Sequence, residues 1–290
     1  MVPHLPVMEE EVLKMLNIKR GGVYVDATIG LGGHTRAILN AVGEEGRVVG
    51  IDKDEDALGV VKRRIADKRL LMKMGSFSDI KSLLKNSHIF KVDGILFDLG
   101  VSMLQLKNYG RGFSFYSKER LDMRMDKSQH FTAWDVVNKY PKDKLEKILS
   151  EYGEEPKAKK IAHAIVDYRS KKTIDTCDEL AMIVEKVYGY RGRVHPATRT
   201  FQAIRIEVNK ELEELKKGLD SALKVLTKGG RLCVITYHSL EDRIVKNFMR
   251  EGSKESLLKI ITKKPIVPTS EEINKNPSAR GAKLRVAEKL

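Results

Sequence analysis

Cysteine is almost missing from this chain of 290 residues: Cys177 and Cys233 are the only two, 56 positions apart (233 − 177), and neither has a C-x-x-C partner. That excludes a disulfide framework and a cysteine-based zinc site, so no metal is expected, and a reducing, cytoplasmic setting fits. Aromatic residues make up only 6%, with a single Trp, too few to interleave as a stacking platform for unpaired bases. No apolar run approaches the ~20 residues of a membrane span, and the opening residues show no basic stretch followed by an apolar one. Neither membrane insertion nor secretion is expected. Acidic residues are outnumbered, 40 Asp and Glu against 54 Lys and Arg, a net charge of +14. The partner to expect is therefore a polyanion, with nucleic acid first. No basic tail carries the excess alone, since positions 107–205 hold 21 basic and 14 acidic residues. Internal repeats and low-complexity tracts are missing as well.

A hydrophobic content of 41% is enough to bury a sizeable core. Over positions 23–99 short β-rich runs alternate with helical periods, the pattern of parallel βαβ units. Strands are expected at 23–28, 47–52, 70–74 and 92–98, and helices at 34–42, 54–66 and 79–85. Beyond Asp98 the alternation gives way to about a hundred residues of helical periods, at 142–152, 157–169 and 177–188, with no convincing strand. A long amphipathic helix at 209–226, a turn at Thr227-Lys228-Gly229-Gly230, a strand at 231–237 and a helix at 239–250 then resume the α/β pattern. Two strand-like pieces, 257–262 and 283–287, suggest a terminal antiparallel pair. The expected fold is thus an α/β, Rossmann-like core, 1–105 and 207–290, with an inserted helical domain at 106–206.

The segment Asp26-Ala27-Thr28-Ile29-Gly30-Leu31-Gly32-Gly33-His34 follows the first strand and opens a helix, where an α/β sheet binds nucleotide-like ligands. Twenty residues beyond Gly32, Asp52 ends the second strand, placed to accept hydrogen bonds from ribose hydroxyls. A NAD enzyme would share these features, but the third glycine of G-x-G-x-x-G is Thr35 here. S-adenosyl-L-methionine, with its ammonium, adenosine and sulfonium groups, accounts for Asp26, the glycines and Asp52 together. Phe77, just past the third strand, could meet adenine through its ring or its main-chain amide, and packing beside the sheet would explain it nearly as well.

On the acceptor side, Asp98 ends the fourth strand at the carboxyl edge of the sheet, where chemistry occurs in this fold. Gln105, seven residues on, could reach the cofactor or the base. His195-Pro196-Ala197-Thr198-Arg199 through Arg205 closes the insert, and Thr236-Tyr237-His238-Ser239-Leu240-Glu241-Asp242-Arg243 follows the resumed strand at the same edge. Arg199, Arg205 and Arg243 suit phosphates, while Tyr237 and His238 are candidates to contact a base. Since no G-x-S-x-G elbow accompanies them, no Ser-His-Asp hydrolase is implied. Two other functions remain open at this point, a NAD-dependent oxidoreductase and a non-catalytic RNA-binding assembly factor.

These residues carry a resemblance. His4-Leu5-Pro6-Val7-Met8, the glycine loop, Asp98-Leu99-Gly100-Val101-Ser102, Arg111-Gly112-Phe113-Ser114-Phe115, Arg120-Leu121-Asp122-Met123-Arg124-Met125, the segment from His195 to Arg205 and Tyr237 to Arg243 together resemble the MraW (RsmH) family of bacterial ribosomal RNA small-subunit methyltransferases. The resemblance spans almost the whole chain. It implies an S-adenosylmethionine-dependent core with a helical insert beside the active site. It also implies methylation of N4 of a cytidine in the decoding region of 16S rRNA, conventionally position 1402, and cofactor contacts from Gly32, Gly33, His34, Asp52, Phe77, Asp98 and Gln105.

Overall fold

The computed structural model describes residues 6–107, 110–189, 192 and 194–290; His4 and Leu5, which open the first of the motifs above, lie outside them. The chain forms two compact units, Met1–Gly100 with Leu212–Leu290, and Val101–Glu211.

In the first unit, helix α1 (Glu9–Leu16) precedes β1 (Val23–Asp26), α2 (Gly33–Val42), β2 (Arg47–Asp52), α3 (Glu55–Arg64), β3 (Leu70–Met74), α4 (Ile80–Lys85) and β4 (Val92–Asp98). The other unit contains α5 (Met103–Lys107), α6 (Ala133–Lys139), α7 (Lys142–Glu151), α8 (Ala158–Arg169), α9 (Cys177–Tyr188) and α10 (Thr198–Asn209). Helix α11 (Glu211–Val225) leads back to β5 (Leu226–Thr236), α12 (Ser239–Lys254), β6 (Leu258–Ile260), α13 (Ser270–Lys275) and β7 (Lys283–Lys289).

The seven strands make one sheet in the order β3-β2-β1-β4-β5-β7-β6. The first five pair in parallel, and β7 runs antiparallel between β5 and β6. Side chains alternate across the sheet. Ile95 and Phe97 of β4 join one apolar layer with Leu215, Leu219 and Val245 of α11 and α12, while Leu96 enters the opposite layer with Ile38 of α2 and Leu16 of α1. Both faces are covered, so the parallel strands read as nearly continuous apolar runs. Strand β1 pairs with both β2 and β4, and the chain order reverses there, which opens a crevice at the carboxyl ends of the strands. The second unit packs its helices around a separate core that includes Leu121, Leu145, Ile161, Leu180 and Ile204. Between named elements it contains only a single antiparallel bridge, Arg120 to Thr176, among the described residues.

Several boundaries differ from the sequence reading. Strand β1 stops at Asp26 because residues 27–32 turn out as the loop, with the Ala27 amide donating to Leu96 O (2.8 Å) and the Ile29 amide to Ile51 O (2.9 Å). The helix expected at 209–226 starts two residues later, as α11 from Glu211: a separate helix, α10, ends at Asn209, and Lys210 between them is left-handed (φ 51°). Asn209 is buried at the break, accepting from the Met125 amide and donating to Met123 O, each at 2.8 Å. Thr227–Gly230, expected as a turn, forms an irregularity within β5, where Leu226 faces Val92 and Arg231 already faces Gly94. The units divide after Gly100 and after Glu211, so residues 101–105 and 207–211 belong with the helices rather than with the sheet. Helix α1 was not anticipated.

Candidate active site

The glycine loop is held from both sides. Gly30 and Gly32 adopt left-handed backbone (φ 51° and 79°), and a Cβ on Gly32 would stand 2.8 Å from Ile65 Cδ1. Only glycine combines that conformation with that clearance. The Gly30 amide donates to Asp52 Oδ2 (2.9 Å) and the Asp54 amide to Asp52 Oδ1 (2.9 Å). Burial pushes the Asp52 carboxyl up to about 6 against the pull of these two donors. Each oxygen keeps a lone pair for a further donor, as a ribose diol requires.

Asp26 is buried, and its Oδ2 accepts a 2.7 Å hydrogen bond from Thr35 Oγ1. Thr35 therefore takes the third glycine position for a reason: its hydroxyl satisfies a carboxylate that burial pushes above its ordinary pKa. An ammonium contact for Asp26, as the sequence suggested, gives way to this loop-bracing role. Helix α2 begins at Gly33 with no side-chain cap, so no capping side chain satisfies its first amides, at the positive end of the helix dipole.

Asp98 closes β4 opposite Ile235 of β5. Its amide donates to Thr28 Oγ1 (2.7 Å), tying the strand end to the loop. Its Oδ1 accepts from the Tyr237 hydroxyl (2.7 Å), and its Oδ2 lies 3.6 Å from His34 Nε2. Asp98 remains 24% exposed while His34 is only 6% exposed. Burial opposes charge on His34, but Asp98, Asp26 and Glu9 outweigh it and hold the imidazole pKa above its usual value. Among the described residues, neither ring nitrogen of His34 has a hydrogen-bond partner. Burial, and then the charge of Asp98, raise Tyr237 well above the usual phenol range, so Tyr237 serves as a fixed donor rather than as a base.

Other expected site residues are placed differently. His238 caps α12: its Nδ1 accepts from the Glu241 amide (3.4 Å), while Glu241 Oε2 accepts from the amides of Tyr237 (2.8 Å) and His238 (3.3 Å). This capping box engages Nδ1 of the imidazole at the helix start, while its Nε2 faces Glu241 Oε1 at 3.1 Å. Phe77 turns its ring into the core, edge-on to Phe97 at 5.5 Å and against the space above Gly218. Its main chain is the part left to meet a ligand. Gln105, in the helical unit, is buried, accepting from the Ser102 amide at Oε1 (3.0 Å) as its own amide donates to Ser102 Oγ (3.3 Å). Arg205 forms a bidentate pair with Glu211, both bonds 2.8 Å, and so is not presented to a phosphate. Arg199 is exposed, donating to Glu154 O (3.1 Å), and Arg243 is exposed on α12.

Thr28, Thr35 and Glu241 are the residues that reading by motif missed. Glu241 was legible, because a polar residue followed three positions later by Glu at a helix start is the capping-box spacing. The two threonines had no such signal. Both cysteines are buried; burial raises Cys177 to about 12 and Cys233 higher still, so neither is a nucleophile. No helix of the described residues is long and apolar enough to cross a membrane.

The model of the MraW methylase family matches residues 1–290. A protein from Persephonella marina named ribosomal RNA small subunit methyltransferase H is 52% identical over 295 aligned positions, covering all of both chains. A protein of the same name from Clostridioides difficile is 45% identical over 99% of each. Among solved structures, an rRNA methylase from Streptococcus thermophilus aligns over 97% of this chain and 93% of its own, at 12% identity and a TM-score of 0.46. With the loop, the strand-end carboxylates and full-length similarity in agreement, the chain belongs to the MraW methylase family and is a methyltransferase.

Proposed function

We propose that the protein transfers the methyl group of S-adenosylmethionine to the exocyclic N4 amine of a cytidine in 16S rRNA, within the small ribosomal subunit. Membership of the family makes it an S-adenosylmethionine-dependent rRNA methyltransferase; the acceptor atom, the nucleotide and the assembled substrate are the proposal. The observation that carries it is Asp98, a partly exposed carboxylate at the strand end, fixed by Tyr237 at one oxygen and tied through Thr28 to the glycine loop.

The residues fit the donor. A Cβ at Gly32 would stand 2.8 Å from Ile65 and one at Gly33 would stand 3.1 Å from Pro6, so the loop keeps bare backbone beside the ligand's place, and Asp52 offers two acceptor oxygens to a ribose. Phe77 stands three residues past β3, in the turn whose Gly75 amide donates to Asp52 O (2.9 Å), and it and Gln105 are assigned to the same ligand by family resemblance. When bound, S-adenosylmethionine supplies an electrophilic methyl on a sulfonium.

A cytosine amine is a weak nucleophile because its lone pair is delocalised into the ring. Asp98 Oδ2 accepts one N–H of that amine and so turns the lone pair toward the methyl, while the Tyr237 bond prevents the carboxylate from rotating away. As the N–C bond forms and the sulfonium S–CH3 bond breaks to release a neutral thioether, positive charge moves onto nitrogen and the Asp98 charge stabilises it. The surplus proton becomes acidic only then, and Asp98 Oδ2 is placed to hold it before it passes to water. His34 Nε2, 3.6 Å from the same oxygen, adds an attractive charge there when it is protonated. In the helical unit the net basic surface and Arg199 are assigned to RNA phosphates.

The test is transfer of labelled methyl to total RNA and to small subunits, with the product nucleoside identified by mass. N4-methylcytidine in small-subunit RNA is expected, whereas methyl on another atom, or on protein only, overturns the assignment.

A further inference from the structure

A second recess lies on the sheet unit, away from the strand ends just described. It is a groove of about 710 Å³ between α12, the edge strand β6 and the end of β7. Its floor is apolar, with Met249, Leu258 and Ile260, and its rim carries Lys246, Arg250, Lys259, Lys263 and Arg285. No carboxylate side chain lines it. Arg285 is spoken for, since it holds Asp242 through two bonds of 2.7 and 3.1 Å and is only 7% exposed. The other four cations are exposed, and none is ion-paired among the described residues.

Lys246 and Arg250 are four residues apart on one helix, a spacing at which like charges repel. Lys259 and Lys263 add two more charges on the facing wall, so four like charges share one rim. Volumes of this size enclose a small-molecule-sized group. The groove lacks aromatics, so a base would lie on the apolar floor rather than stack, and affinity would come from phosphates.

Resting on the rRNA reading above, we propose that this groove is an RNA exosite, holding an unpaired stretch of the substrate strand by its phosphates without reading its sequence. Its position suits a strand that continues past the target nucleotide. Tyr237 stands two residues before α12, ahead of its N-cap His238, and Lys246 follows Ser239 by seven residues, about 10 Å along the helix axis. Lys283 and Arg285 of β7 face Thr236 and Val234 of β5, so the same strand pair connects the groove to the Asp98–Tyr237 edge.

The experiment compares the intact wild type with Lys246→Ala/Lys259→Ala/Lys263→Ala, all exposed positions outside the catalytic machinery. The probe is a short oligoadenylate, which carries no target base, with affinity followed by anisotropy across a salt series. The triple variant should bind several-fold more weakly at low salt, and the slope of log affinity against log salt should shrink by about 2, the loss expected for three phosphate contacts to a single strand. KM for small-subunit RNA should rise while kcat at saturating RNA and S-adenosylmethionine affinity hold. The matching triple Lys→Arg variant should restore the slope and so separates charge from folding. Equal affinity and slope in wild type and triple-alanine protein overturn the exosite, as does selective loss of polyglutamate rather than RNA binding, which would make the groove a site for acidic peptides. A wild type that binds oligoadenylate through the groove but transfers no methyl to rRNA overturns the functional reading instead.

Discussion

Asp98→Asn removes one charge and leaves the shape of the site unchanged. In the wild type, Oδ1 receives the Tyr237 hydroxyl at 2.7 Å and Oδ2 faces both the crevice and His34 Nε2 at 3.6 Å. The amide that replaces the carboxylate has one acceptor oxygen. The Tyr237 donor, held well above the usual phenol pKa, keeps that oxygen, which leaves an NH2 group toward the amine and the imidazole. The variant then presents a donor where the reaction needs an acceptor and a negative charge. Loss of one preorganised electrostatic contact at a reacting centre costs ~10²–10³-fold in rate, or about 3–4 kcal/mol of barrier. Single-turnover methyl transfer, with cofactor and RNA saturating, should fall by that factor while both dissociation constants change little. An independent signature comes from His34. Its raised pKa depends on the Asp98 carboxylate, so the imidazole should titrate at lower pH in the variant when followed by NMR. A preserved rate, or a loss recovered fully by more cofactor, would refute the argument and reduce Asp98 to a binding residue.

Tyr237→Phe removes the donor that orients Asp98 and should slow transfer about tenfold, consistent with a charged hydrogen bond of about 1.5–3 kcal/mol only partly expressed in the transition state; a rate loss equal to that of Asp98→Asn would argue for a direct role of the phenol. Asp52→Ala should weaken S-adenosylmethionine binding by ~1.5–3 kcal/mol in calorimetry. Because burial pushes the wild-type Asp52 carboxyl up to about 6, and the ribose diol donates to the ionised form, affinity should decline as pH falls from 7 through that value; a flat profile between pH 7 and 5 would contradict the ribose assignment. Arg205→Ala should lower the melting temperature, at ~1–3 kcal/mol for a stranded partner at Glu211, whereas Arg199→Ala should weaken RNA binding and leave stability unchanged. The reverse result in thermal melts and RNA titrations would exchange the two roles.

Much of the core was legible because its signals are local. Alternating apolar runs report strands buried on both faces, and the residues that close each strand follow in sequence order, so Asp26, Asp52 and Asp98 could be assigned to one sheet edge before any coordinates. The glycine loop was equally readable, since a left-handed backbone at Gly32 is a property of that position and its neighbours. Side-chain direction was not. Tyr237 meets Asp98 across 139 residues only because β5 pairs with β4 in the register that sets Asp98 against Ile235. Phe77 faces the core instead of the crevice because the turn after β3 packs it on Phe97. Arg205 reaches Glu211 because Lys210 breaks the helix between them. The cations of the groove come from α12 and from the segment around β6, and share a rim only once β7 has folded back antiparallel between β5 and β6. Periodicity and spacing act over a few residues, whereas contacts between distant side chains depend on strand register and on the turns that aim each side chain, and those were decided by the tertiary structure.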